Sequence, residues 1–210
     1  MANFAFAFLD CEMGGLDPEL HDLTEVGLIL TDDRLAESSQ REWKVKARAE
    51  RITPASIEIS GYDAAVWAKE ALPIRQVLTE LADALPKDCK VVPAGQNVRM
   101  DVMFLERAYK NCGIAWPFDY HVIDLATLFY AWSLVAGEKI EALSLRQAAT
   151  RAGLAQNKVA HRALADARLT LETFRHYVAR LSPRELREDA PSPMPAGLAR
   201  PAAATTAAPE

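Results

Sequence analysis

Residues 3–12 read NFAFAFLDCE, an apolar run that ends in two acids. Phe and Ala alternate from Phe4 to Phe8, which is the period of a strand, and so many aromatic residues place that strand centrally in a sheet. The run ends in Asp10-Cys11-Glu12. Side chains two apart on a strand point to the same face, with Cα atoms about 7 Å apart. Two carboxylates that close repel each other in a partly buried place. A divalent cation resolves the conflict, and hard oxygen ligands suit Mg²⁺ or Mn²⁺. The plain alternative is a strand end that runs into a polar loop. Gly14-Gly15 follows directly, and glycines let a substrate approach the backbone.

Outward from this stretch, Leu23–Thr31 (LTEVGLILT) reads as a second strand and Glu42–Ala47 (EWKVKA) as a third. Asp32-Asp33 makes the turn between them, and three consecutive strands predict an antiparallel meander. Residues 54–68 suggest short helical turns. A helix is expected over residues 73–85, with Pro at its first position. Lys90–Pro93 is a short buried strand, and residues 99–112 form a helix stopped by Gly113. Val122-Ile123 adds a short strand before a helix over residues 124–135. A further helix covers residues 144–152, and residues 161–181 form the longest periodic helix. Early strands followed by alternation predict an α/β fold, a mixed sheet covered by helices.

The chain has 210 residues, 50% of them apolar, and a net charge of -5. That is enough for one substantial core. The acidic balance argues against coating long duplex DNA, but not against holding a few nucleotides at a strand end. The three cysteines, Cys11, Cys89 and Cys112, have neither disulfide nor zinc spacing, so a reducing cytoplasm is expected. Asp10 and Glu12 interrupt the N-terminal apolar run too early for a signal peptide or membrane helix. Residues 182–210 hold six of the twelve prolines, a run of Ala and Thr, and no aromatic residue. The expected organisation is therefore a domain over residues 1–181 and a flexible Pro/Ala-rich tail over 182–210. Residues 182–189 are a brief possible continuation of the last helix.

Two further clusters carry polar residues. Asn97 and Asp101 sit at a helix start, where Asn97 would cap and Asp101 would complement the dipole. The same geometry aims Asp101 inward, beside the strand at residues 90–93. His161 and Asp166 are five apart, a rotation of about 140° on a helix. They reach one site when His161 lies in the segment before the helix and Asp166 projects from it. The plain alternative is an ion pair of Arg162 with Asp166 and a surface histidine.

The conjunction resembles the DnaQ-like 3′–5′ exonucleases, the DEDD class with a catalytic histidine (DEDDh), close to the proofreading subunit of bacterial DNA polymerase III and to oligoribonuclease. Asp10, Glu12, Gly15 and Leu16 match the first motif, and Glu25-Val26-Gly27 matches the end of the next strand. Gly95, Asn97, Asp101, Phe104 and Leu105 match the second motif. His161, Ala163, Asp166 and Ala167 match the third. Met13-Gly14 departs from the usual Thr-Thr, with Met13 leaning toward oligoribonuclease-like members, and Gln96 and Met100 replace a frequent His and Phe.

The resemblance implies an RNase H-like five-stranded sheet and hydrolysis of mononucleotides from 3′ ends of single-stranded or frayed DNA with two divalent ions, Mg²⁺ or Mn²⁺. Asp10, Glu12, Asp101 and Asp166 would hold the metals, Asp101 through water. His161 would accept the proton of the attacking water. The backbone at Met13 and Gly14, together with Leu16, Asn97 and Phe104, would meet the terminal nucleotides. A DNA polymerase is the implied protein partner. The rival readings are an oligoribonuclease-like or other RNA 3′ exonuclease, and a non-catalytic nucleic-acid-binding module of the same fold.

Overall fold

The computed structural model describes residues 4–154 and 161–181. Five strands, β1 (Phe4–Met13), β2 (Leu23–Thr31), β3 (Glu37–Lys44), β4 (Lys90–Gly95) and β5 (Ile123–Asp124), form one sheet in the order β3-β2-β1-β4-β5. β1, β2 and β3 form the expected antiparallel meander, while β4 and β5 run parallel to β1. The Phe-rich stretch is therefore the central strand. The sheet order and the flanking helices are those of an RNase H-like α/β fold.

Alternation along β1 assigns its two faces. Ala5, Ala7, Leu9 and Cys11 face the larger core, which is closed by α3 (Ile74–Ala84) and α4 (Arg99–Cys112). Phe6 and Phe8 face α7 (Ala163–Arg180), with Ile29 of β2, Ala167 and Leu171. Asp10 and Glu12 continue the even-numbered face, so both project on the α7 side. A third apolar cluster joins α5 (Leu125–Val135), α6 (Leu145–Arg151) and α7 around Phe129 and Tyr177. The Tyr177 hydroxyl donates to the Ala148 carbonyl at 2.7 Å. Residues 54–70 hold two short helices, α1 (Pro54–Ser60) and α2 (Ala64–Glu70), capped by Thr53 and Asp63.

Three local readings are corrected. The third strand lies at Glu37–Lys44, not at residues 42–47. Its exposed edge has almost no apolar alternation, so its position is set by pairing with β2 (Gly27↔Glu42, Leu28↔Arg41). Asp32 does make the turn, because its Oδ1 accepts from the amides of Arg34 and Ala36. Asn97 is not a cap. It adopts a left-handed conformation (φ 53°) and is exposed, and α4 has no side-chain cap. Asn tolerates that conformation better than most residues, so it turns the chain from β4 into α4. Arg162 pairs with Glu25 of β2 rather than with Asp166. The tail reading lies outside the described residues.

Candidate active site

The site is built where β4 stops. β4 pairs with β1 only as far as Phe8↔Ala94. Beyond that point the Cys11 amide donates to Asp101 Oδ1 at 2.7 Å. Asp101 thus takes over the ladder from the first turn of α4 and is almost fully buried. The start of α4 is itself fixed by Asp124, which accepts from the Val98 amide (2.9 Å) and, through its other oxygen, from Ala126 at the start of α5 (2.8 Å).

From the other side of the sheet, α7 brings the third motif. His161 and Arg162 precede the helix, and Asp166 lies in its first turn. This is the arrangement by which the two residues were expected to reach one place. His161 Nδ1 stands 3.8 Å from Asp166 Oδ2. Single ligand atoms of Glu12, His161 and Asp166 all lie within 4.8 Å of one another. Gly27 permits this closeness: a Cβ there would stand 2.4 Å from the backbone of Ala163 and Leu164. Gly27 is also the direct partner of Asp10 in the sheet.

The electrostatics record the crowding. Burial, then Asp101, Asp166, Glu12 and Glu25, hold the Asp10 carboxyl well above its usual range. Burial and then Asp166 and Glu25 push Glu12 to about 7, against the nearby Arg162. Burial raises Asp101 to about 8, although the Cys11 amide opposes it. Burial raises Asp166 to about 6, with His161 opposing. Asp166 Oδ1 is buried without a hydrogen-bond partner among the described residues. Four carboxylates at one strand end, each disfavoured as an anion, fit divalent cations bound by oxygen.

The expected substrate residues divide. Leu16 is 83% exposed in the loop after β1, and Asn97 is exposed at the turn from β4 into α4. Phe104 is 3% exposed within the larger core, so in this conformation its ring has almost no face for a base. The backbone of Gly14 is already engaged. Its amide donates to Asp22 O, and its carbonyl accepts from Thr53 N and Ser56 Oγ. A Cβ there would stand 2.2 Å from Arg51 O, so close chain packing explains this glycine rather than substrate approach. Met13 is half-buried against the larger core. Gln96 is tied by its Nε2 to the Leu143 carbonyl at 2.7 Å.

Sequence reasoning missed the role of Glu25. It is fully buried, lies directly across the sheet from Glu12, and accepts from Arg162 at 2.8 Å. Burial raises its carboxyl, and Arg162 and the Ala163 amide pull it back down. The Glu-Val-Gly match was the available signal, but a match carries no geometry.

A sheet of this order with carboxylates gathered at the end of its central strand defines the RNase H-like class. The chain belongs to the RNase T family of exonucleases, whose profile, described as "Exonuclease", matches residues 7–174. It is 31% identical over 179 residues to the PolC-type DNA polymerase III of Thermotoga petrophila, covering 84% of this chain and 12% of that one. Among solved structures it is similar to the zinc-bound E. coli exonuclease I complex with single-stranded DNA. That likeness has a TM-score of 0.72 at 19% identity, over 90% of this chain and 42% of that one. Exonuclease I from Methylocaldum szegediense gives 0.67 at 20% identity, over 89% and 42%. The chain thus spans an eighth of the polymerase and under half of the exonuclease I chains. No helix among the described residues is long and apolar enough to cross a membrane.

Proposed function

We propose that this exonuclease removes nucleoside monophosphates from the 3′ ends of single-stranded or frayed DNA. The observation that carries the reading is the meeting of Glu12, Asp166 and His161 within 4.8 Å, beside Asp10 and Asp101. Asp10, Glu12 and Asp166 would hold two divalent cations, Mg²⁺ or Mn²⁺, with Asp101 placed by Cys11 at their border. When bound, such ions lower the pKa of water and offset charge on the phosphate and leaving oxygen. His161 accepts the proton of the attacking water. Its side chain is about half exposed, so it can pass that proton to solvent. Leu16, on its exposed loop, parts the terminal base from the next. Asn97, exposed at the turn into α4, borders the same nucleotide.

Positive charge lies on the α4 side of the sheet, the face opposite the Asp10 and Glu12 side chains. A cleft of about 430 Å³ beside the loop after Glu12 is lined by Lys46, Arg48, Arg51 and Arg107. Asp22 holds Arg48 and Arg51, and Glu19 holds Arg107, leaving a basic excess on an acidic chain. The single-stranded DNA complex of exonuclease I, a protein of the same fold, supports DNA rather than RNA as the substrate. The similarity to part of a PolC-type DNA polymerase III supports a DNA polymerase as partner.

The test is release of mononucleotides from end-labelled single-stranded DNA, mismatched duplex and RNA with Mg²⁺ or Mn²⁺. The expected order is single-stranded DNA first, with Asp10→Ala inactive. No metal-dependent release from any substrate, or release starting at the 5′ end, would overturn the reading.

A further inference from the structure

β2 presents Glu25, Gly27 and Ile29 to α7 on the face shared with Asp10 and Glu12. We propose that Glu25 and Arg162 form a clamp that seats the start of α7, and with it His161 and Asp166, against the carboxylates of β1. Both are positioning residues, and the proposal rests on the nuclease reading of the site.

The first support is burial. Glu25 is 0% exposed, and a buried carboxylate needs a partner. Arg162 supplies it at 2.8 Å through Glu25 Oε1, the Ala163 amide also favours the anion, and Oε2 forms no hydrogen bond among the described residues. Glu25 therefore depends on Arg162 more than an exposed acid would.

The second support is where Arg162 sits. It occupies the N-cap position of α7 with an extended backbone (φ -136°, ψ 123°), yet its side chain does not cap the helix. It leaves its own helix, crosses to β2, and lies over the ring of Trp67 at 5.5 Å. Trp67 is buried, and its Nε1 donates to the carbonyl of Thr24, the neighbour of Glu25, at 2.7 Å. Arg162 is thus gripped between two groups, both anchored to the first two residues of β2 that follow Leu23. His161 is its immediate neighbour in the chain, so the ring is carried to one place.

The third support is charge. Glu25 is the register partner of Glu12. Like charges directly opposite one another on a sheet face repel. Arg162 takes up the charge of Glu25, leaving Glu12 for a cation. Outer partners of this kind commonly change activity about 10- to 100-fold when removed.

The test compares Glu25→Gln, Arg162→Met and Arg162→Lys by steady-state kinetics on a single-stranded DNA oligonucleotide with Mn²⁺, and by amide exchange at residues 163–166. The expected result is a fall in kcat of about 10- to 100-fold in Glu25→Gln and Arg162→Met. KM should stay within about twofold, Arg162→Lys should recover part of the rate, and exchange at 163–166 should speed up without a matching change in α4. The double variant Glu25→Gln with Arg162→Met should lose no more than either single change, as coupled residues do. Unchanged kcat with unchanged exchange would overturn the clamp. So would equal losses in Arg162→Lys and Arg162→Met, or fully additive losses. Exchange is read without substrate, so an inactive wild-type protein would sink the nuclease reading while exchange still decides the clamp.

Discussion

Asp10 of β1 and Gly27 of β2 are direct partners in the sheet, and Gly27 is where the backbone of α7 comes down on β2. A residue without a side chain thus lies beside the most crowded carboxylate of the site. Its emptiness admits Ala163, and three residues later the helix delivers Asp166.

Gly27→Ala tests that contact. Its Cβ would stand 2.4 Å from Ala163 and Leu164 backbone, which cannot give way as a flexible side chain can. Overpacking of this kind costs about 1–3 kcal/mol. A lower melting temperature is expected, together with a loss of nuclease rate larger than stability alone explains. A variant that melts and cleaves like the wild type would show that α7 does not need the close approach.

His161→Ala separates proton transfer from metal binding. Loss of a general base typically costs about 10²–10⁴-fold in rate. The rise in melting temperature on adding Mn²⁺ should persist, because four carboxylates remain. Equal turnover in the variant would remove His161 from the reaction.

Metal and pH are linked through the same carboxylates. Asp10, Glu12, Asp101 and Asp166 all have raised folded-state pKa values, with Glu12 at about 7, Asp101 at about 8 and Asp166 at about 6. A carboxyl raised in this way binds its proton more tightly when folded than when unfolded. Its contribution is full below the unfolded value and is lost as pH rises through the folded one. Metal-free protein should therefore lose stability from about pH 4 to about pH 8. Glu25 is raised by burial as well, and His176, held low by burial and then Arg180, opposes these as one group against five. Mg²⁺ or Mn²⁺ in large excess over its Kd should flatten the decline and raise Tm by about 5–10 °C near neutral pH. Melting curves with and without chelator across this range check both signs, and superimposed curves would count against a cation site.

Leu16 and Phe104 should part company. Leu16→Ala, on an exposed loop, should change stability by under about 0.5 kcal/mol while raising KM for oligonucleotides. Phe104→Ala should cost about 3–5 kcal/mol of stability, as for a buried aromatic ring. Thermal melts and initial rates on the two variants distinguish the roles.

Much of this was legible in the chain because local chemistry agreed with the fold. The Phe/Ala alternation marks β1, Gly113 in a left-handed conformation stops α4, and Ser144 caps α6 through the Gln147 amide. The periodic pattern began the last helix at residue 161, but the five-residue spacing needed His161 outside it to meet Asp166, and the helix in fact begins at Ala163. What was not legible depends on contacts between distant segments. The edge strand β3 carries ESSQREWK, whose register comes from its neighbour rather than its own pattern. Gly14 looked like an opening for substrate, yet it is closed by Arg51, 37 residues away. The plain alternative paired Arg162 with Asp166, yet it reaches Glu25 across 137 positions.

That span has a consequence for how the protein comes into being. The acids of β1 and α4 belong to the first 101 residues, but Asp166 and the ring of His161 arrive with α7, the last described element. Chains emerge N-terminus first during synthesis, while a domain folds as a unit. A nascent chain therefore carries three of the four carboxylates long before the helix that completes the set. Translation order keeps the described site unfinished until α7 has left the ribosome.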